Sequence, residues 1–134
     1  MTTIESNKEN IKARPEDIYN FLSNMNNFTT LMPPQVENWK ADEDSCSFRV
    51  SGMADIGLRI IEKLPFNKIV ISSDGNTPVN FTMLMHINKI SETASDFQIV
   101  FISDMNNFMA MMVTKPLTNF VNILAQKLKE YFEK

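Results

Sequence analysis

The middle of the chain contains six consecutive segments with the residue pattern of β-strands, joined by short, turn-rich links. The segments are Val36–Ala41, Cys46–Gly52, Asp55–Leu64, Lys68–Ser73, Val79–Ile90 and Ala94–Ser103. A parallel neighbour would need a crossover of about a dozen or more residues, and these links are shorter. The pattern therefore predicts an antiparallel meander, which restricts the fold more than any other feature of the sequence.

Helical patterns precede and follow this meander in the sequence. After a predicted edge strand over residues 3–12, Pro15 followed by two acidic residues is typical of a first helical turn. A second short helix is predicted over Asn27–Met32, where Pro33 and Pro34 stop it. From Asn107 to the end of the sequence the apolar residues follow one helical stripe, broken or kinked near Pro116. We therefore expect an α+β fold in which a curved antiparallel sheet of about seven strands wraps around a long C-terminal helix.

Length and charge exclude several classes of protein. The 134 residues suit a single domain over 1–134, and the net charge of −3 is spread along the chain. No Lys/Arg patch is present that would neutralise a nucleic-acid backbone, so we expect no nucleic-acid partner.

The sequence has neither an apolar signal core nor a run of about 18 apolar residues, so we expect no stable membrane insertion. With Cys46 as its only cysteine, the chain is expected in the reducing cytoplasm.

Residues for covalent, metal or cofactor chemistry do not form recognisable motifs. Cys46 has no partner base in the pattern, and the acidic run Asp42–Asp44 lacks the spacing and glycine of a calcium loop. The single histidine, His86, alternates with Met85 and Ile87, so it is expected on the face of its strand opposite the apolar residues. We predict no catalytic residue, no metal site and no cofactor.

Methionine and phenylalanine are in excess, with 10 of each in the chain. Met83 and Met85 share a strand face with Phe81, while Met105, Met109, Met111 and Met112 crowd the start of the last helix. Methionine adapts to irregular shapes and is frequent at promiscuous apolar binding surfaces, but it also fills ordinary cores. The spacing predicts that Met111 points away from Met109 and Met112, to solvent or to an interface.

Two ten-residue segments of similar sequence contain the starts of two of the predicted helices. Residues 23–32 and 103–112 are identical at six positions, and both contain Met-Asn-Asn-Phe. Because asparagine is a favoured N-cap, we interpret the similarity as two independently capped helix starts rather than a duplication.

The order of these elements resembles the helix-grip fold of the START-like (SRPBCC) superfamily, which includes birch-pollen-allergen-like proteins and polyketide cyclases/dehydrases. Three segments carry the resemblance: residues 12–22 (KARPEDIYNFL), residues 27–33 with their Asn-Phe and Leu-Met-Pro, and residues 116–128. The resemblance implies a cavity between sheet and C-terminal helix that in relatives often holds a lipid, a sterol, a polyketide or another apolar molecule. It implies no particular reaction.

On that basis we expect an apolar or amphipathic small molecule as the partner. The positions expected to line its cavity are Phe48, Ile56, Leu58, Ile60, Met83, Met85 and Phe101 on the sheet, with Met109, Met112 and Phe120 on the helix. The alternatives are an enzyme of the polyketide cyclase/dehydrase type, a module that homodimerises or docks a partner through Met111, or a closed core with no cavity. The almost wholly apolar inward positions count against catalysis.

Overall fold

The structure is a computed structural model, and it describes residues 2–34, 36–50, 55–75 and 80–133. Its strands are β1 (Thr2–Glu5), β2 (Glu9–Ile11), β3 (Val36–Ala41), β4 (Ser45–Val50), β5 (Asp55–Leu64), β6 (Lys68–Asp74), β7 (Phe81–Ser91) and β8 (Ala94–Ser103). The helices are α1 (Pro15–Leu22), a 3₁₀ helix (Met25–Leu31) and α2 (Asn107–Phe132). The predicted α+β class and the antiparallel meander are confirmed. The predicted strand ends at Gly52 and Val79 fall outside the described residues.

The sheet has eight strands rather than about seven because the first predicted strand is divided. Both β1 and β2 pair with β8, and the order across the sheet is β1-β8-β7-β6-β5-β4-β3. At the break, the Ser6 N–H donates to the Ile99 carbonyl, and the Ser6 hydroxyl oxygen accepts from the Ile99 N–H, both at 2.9 Å. Ser6 is buried, so its side chain replaces a backbone partner that the strand no longer supplies.

The register assigns each side chain to one of two faces of the sheet. Ile69 and Ile71 pair with Met85 and Met83, and all four are buried on the face that α2 covers, which we call the inner face. Val70 and Leu84 pair on the opposite, outer face. His86, which pairs with Lys68 and Gln98, shares that outer face, as the alternation predicts.

Helix α1 and the 3₁₀ helix close one end of the inner face, which we call the closed end. Ile18, Leu22, Phe28 and Leu31 are buried there, and the Met25 N–H donates to the carbonyl of Glu43 in the β3–β4 turn at 2.8 Å. This bond holds the turn beneath the helices.

The two similar segments, residues 23–32 and 103–112, each contain the start of a separate helix. The Asn24 side chain accepts from the Asn26 N–H at 3.0 Å, and the Asn106 side chain accepts from the Met109 N–H at 2.8 Å. In both cases the side-chain oxygen satisfies a free amide of the first turn, which confirms the capping interpretation.

Helix α2 runs unbroken through Pro116, so of the predicted break or kink the break does not occur. The hydroxyl of Thr118 donates to the carbonyl of Thr114 at 2.7 Å, one turn of helix away. Beyond Pro116 the helix is firmly packed, with Val121, Leu124, Ala125 and Leu128 buried.

Polar side chains of this second half of α2, and of Glu133 just beyond its end, bond to the backbone of residues 7–12 in and around β2. Asn122 accepts from the Asn7 N–H at 2.6 Å, Glu133 accepts from the Lys12 N–H at 3.2 Å, and Lys129 donates to the Asn10 carbonyl at 2.9 Å. They satisfy backbone groups that an open sheet edge would leave to solvent.

Candidate functional site

Burial on the inner face differs between the two ends of the sheet. At the closed end Ile69, Met85, Ile87 and Phe97 are at most 1% exposed, as expected of a filled core. The other end, where β4, β6 and β8 finish and α2 begins, is less completely covered, and we call it the open end. Half-buried apolar side chains gather there: Ile56, Phe81, Met105, Leu117 and Phe120.

Aromatic contacts organise the open end. The Phe48 ring stacks between Trp39 of β3 (centroids 5.7 Å apart, planes at 30°) and Phe120 of α2 (6.3 Å, 11°). Phe81 stacks on Phe101 at 4.8 Å and 27°. Phe48 and Phe101 are buried, so they form a floor, while the half-buried rings of Trp39, Phe81 and Phe120 border it.

The residues predicted to line a cavity fall into three groups. Leu58, Met83 and Met85 are almost completely buried and belong to the packed core, together with the floor residues Phe48 and Phe101. Ile56, Ile60, Met109 and Phe120 are half-buried. Met112 is 62% exposed, so it lies at the edge of the open end rather than inside it. All the sheet members share the inner face, and only the half-buried group remains available to a bound molecule.

The first half of α2 is held less tightly than the second. Its inner stripe, Met109, Val113, Leu117 and Phe120, is half-buried rather than buried. Met111 is 84% exposed, as its spacing predicts, and Phe108 is 74% exposed. The methionines of this segment therefore do not all contribute to the core.

Four residues at the open end were not among the predicted lining residues. They are Trp39, Phe81, Met105 and Leu117. Phe81 alternates with Met83, and Leu117 lies one turn before Phe120, so both could have been found from periodicity. Trp39 could not, because Asn38 beside it has a positive φ of 56° and the β3–β4 register shifts between Glu37 and Lys40.

Charged side chains lie on the outer face. Arg59 forms an ion pair with Asp74 at 3.3 Å and Arg49 pairs with Asp55 at 3.1 Å, both solvent-exposed. Partial burial, with a smaller contribution from the positive charge of Lys68, lowers the pKa of His86 below its usual 6.5. Both effects disfavour the imidazolium.

The one cysteine and the acidic turn both have structural environments. Cys46 is buried on the inner face, and this burial, together with the negative charge of Asp42, raises the pKa of the thiol to about 12. The Asp42 carboxylate accepts from the Ser45 and Asp44 N–H groups and from the Ser45 hydroxyl, and these bonds, those from Ser45 foremost, lower the pKa of Asp42. Asp42 thus organises the β3–β4 turn.

A shallow pocket of about 450 Å³ lies across β3, β4, β5 and the end of β6. Its outward-facing lining is polar and includes Lys40, Ser47, Asp55, Gly57 and Asp74. Its lining also includes Ala41, Cys46 and Ile56, and Ile56 is one of the half-buried apolar residues of the open end. Within the described ranges, no three metal-ligating side chains come together in a group that could hold an ion.

The fold is shared with solved structures. A START superfamily protein from Mycobacterium smegmatis superposes with a TM-score of 0.77 at 12% identity, covering 98% of this chain and 97% of that one. The Aha1 dimer from Colwellia psychrerythraea gives a TM-score of 0.67 at 18% identity, with 99% and 97% covered. The di-domain ARO/CYC BexL of the BE-7585A biosynthetic pathway gives 0.74 at 11% identity, and 99% of this chain matches 47% of that one.

No protein-family model matches the sequence, and no curated protein matches it. The structural likenesses, at these identities, establish the fold alone: the chain has the START-like helix-grip fold that its element order predicted. None of the helices in the described ranges is both long enough and apolar enough to cross a bilayer.

Proposed function

We propose that the chain binds a hydrophobic or amphipathic small molecule, lipid-like or polyketide-like, at the open end between the sheet and α2. The observation that carries the proposal is the change in burial along the inner face of β6, β7 and β8. Ile69, Met85, Ile87 and Phe97 are at most 1% exposed at the closed end, whereas Phe81 at the open end is half-buried. Half-buried apolar side chains that lie together between the sheet and the helix can contact a ligand, whereas fully buried ones cannot.

The chemistry of the open end favours an apolar ligand. Its half-buried side chains are Ile56, Phe81, Met105, Leu117 and Phe120, together with Met109 at the start of α2. Binding would draw on about 25 cal/mol for each Å² of apolar surface removed from water. The stacked rings favour a ligand with at least one flat or unsaturated portion.

Two serine hydroxyls near this site bond to the backbone. The Ser103 hydroxyl donates to the Asn80 carbonyl at 2.8 Å, and the Ser73 hydroxyl oxygen accepts from the Phe81 N–H at 3.0 Å. Orientation of the ligand would therefore depend on shape and ring stacking more than on hydrogen bonds from these serines. The likeness to an ARO/CYC protein is consistent with such a ligand class, and it leaves the reaction, if any, open.

Trp39 provides a direct readout. It is the only tryptophan and stacks on Phe48, the central floor residue, so a bound molecule should change its fluorescence. The experiment combines native mass spectrometry of the purified protein with titration of an apolar dye, 1-anilinonaphthalene-8-sulfonate, followed by Trp39 emission. We expect saturable binding and a co-purifying apolar mass.

Two neighbouring methionines give the matched variants. Met109→Gln changes the half-buried stripe and should weaken dye binding roughly tenfold, since it places an amide against apolar surface. Met111→Gln changes the exposed side of the same turn and should leave binding unchanged. Equal effects of the two substitutions, or a clean apo mass with no saturable dye binding, would contradict the proposal.

A further inference from the structure

We propose that two copies of this chain associate through the outward face of the first half of α2. The surface consists of Phe108, Met111 and Met112, bordered by Lys115. The inference is independent of the ligand proposal, which concerns the opposite, sheet-facing side of the same helix.

The surface is a continuous helical stripe. Positions 108, 111, 112 and 115 follow the i, i+3, i+4, i+7 spacing of one helix face, and all four are exposed. The opposite stripe, from Met109 to Phe120, already packs towards the sheet. This half of α2 is therefore apolar on both sides, and a helix that is apolar all round is normally buried on both sides.

The distribution of charged residues on α2 favours a protein partner over a membrane surface. Between Asn107 and Phe120 the only charged residue is Lys115, whereas the rest of the helix carries Lys127, Lys129 and Glu130. Helices that lie on membrane surfaces combine their apolar face with a Lys/Arg-rich polar face, which this segment lacks. Enrichment in Met and Phe with depletion of charge is instead the composition of a protein–protein interface core.

The area fits a small symmetric dimer. The exposed parts of Phe108, Met111 and Met112 amount to roughly 400–500 Å² per copy, taking about 150–250 Å² for a fully exposed large side chain. Burial of all of this surface on two copies gives at most about 800–1,000 Å², so polar neighbours must contribute for the interface to exceed the roughly 1,000 Å² that a specific interface requires. Exposed neighbours such as Asn119 would supply the polar rim.

A symmetric dimer would also give a contact to Lys115, the one charged residue of the stripe. When two α2 helices pack antiparallel about a two-fold axis, Met111 and Met112 lie at the axis, because they are midway between 108 and 115. Phe108 of each copy then faces the other copy's Lys115. An ammonium over a phenyl face is a favourable contact, so the stripe is complementary to itself.

The test is the oligomeric state of the full chain, measured by size-exclusion chromatography with light scattering and by sedimentation over a wide concentration range. We expect a dimer of twice the 15.4 kDa chain mass. Met111→Glu and Phe108→Glu should each raise the dimer dissociation constant roughly thirtyfold or more. Ile90→Glu, at a site 56% exposed on β7, is the matched control and should leave it unchanged.

Thiol cross-linking tests the geometry. Met111→Cys should form an intermolecular disulfide readily, and Gln126→Cys, exposed on the second half of the same helix, should not. Cys46 is buried and leaves this readout clear. A monomer at all concentrations, a dimer unaffected by both Glu substitutions, or cross-linking through residue 126 would overturn the proposal. So would Phe108-dependent flotation of the monomer with phosphatidylcholine/phosphatidylglycerol vesicles, which would assign the surface to a membrane.

Discussion

The ring of Phe48 on β4 lies nearly parallel to the ring of Phe120 on α2, with their centroids 6.3 Å apart and their planes inclined by 11°. Phe48 is buried and Phe120 is half-buried, so this contact joins the floor of the open end to the helix that covers it. This contact and the packing of Leu117 against the core hold the first half of α2 over the sheet.

Removal of these rings should therefore have unequal effects. Phe48→Ala should lower the free energy of unfolding by about 3–5 kcal/mol, the usual range for a buried phenylalanine. Phe120→Ala should cost less because part of the ring is already in solvent. Urea unfolding of both single variants and the double variant should give a coupling of about 0.5–1.5 kcal/mol. Additive effects would show that the rings do not stabilise each other.

Ser6 supports the break between β1 and β2 through its hydroxyl. Ser6→Ala removes the acceptor of the Ile99 N–H and leaves that buried donor unpaired, so it should cost about 1–3 kcal/mol of unfolding free energy. Ser47→Ala, on the exposed outer face of β4, is the matched control and should change stability by less than about 0.5 kcal/mol. Faster hydrogen exchange at Ile99 in Ser6→Ala would locate the effect, and unchanged exchange would contradict it.

Most of the fold was predictable because the spacing of apolar residues and the length of the links between strands can be read from residues that are close together in the sequence. The alternation of Met83 with Met85 and of Phe48 with its neighbours assigned the inner face correctly. The structure differs from the residue pattern at two places. Ser6 divides a strand whose residue pattern is continuous, and α2 passes unbroken through Pro116, where the pattern predicted a break or a kink.

The candidate site was less predictable than the fold. Period identifies the face on which a residue lies but not its depth, so it did not distinguish Met85 from Ile56, although one is buried and the other is half-buried. Depth depends on which helix segment covers each strand end. Trp39 was not among the predicted lining residues for a different reason, because the register shift in β3 alters the alternation on which the prediction depends.

Gly57 is required by a close backbone approach. A Cβ atom at this position would lie 2.3 Å from the carbonyl oxygen of Asp74, so Gly57→Ala should force β5 and β6 apart. We expect a loss of about 1–3 kcal/mol in unfolding free energy, the usual cost of overpacking. Thermal unfolding measures it, and a variant as stable as the parent chain would show that the strands adjust freely.

His86 should make stability depend on pH in one direction. Its pKa lies below 6.5 in the folded chain, so the unfolded chain binds the proton more readily, and stability falls as the pH drops through and below 6.5. Lys68→Gln removes a neighbouring positive charge and should move the pKa of His86 upward, without restoring it fully because burial is the larger cause. NMR titration of the single imidazole measures both, and an unchanged pKa in Lys68→Gln would exclude the Lys68 contribution.

Cys46 should be unreactive until the chain unfolds. With a pKa of about 12 in the folded state, the thiol has very little thiolate near neutral pH and is also shielded from reagent. Labelling by 5,5′-dithiobis(2-nitrobenzoic acid) at pH 8 should therefore be slow, and it should become rapid in denaturing urea. Because the folded pKa exceeds the ordinary value of 9.0, the unfolded chain loses this proton first, and stability should decline as the pH rises above about 9. Cys46→Ser would serve as the unreactive control, and fast native labelling would show that the inner face opens at β4.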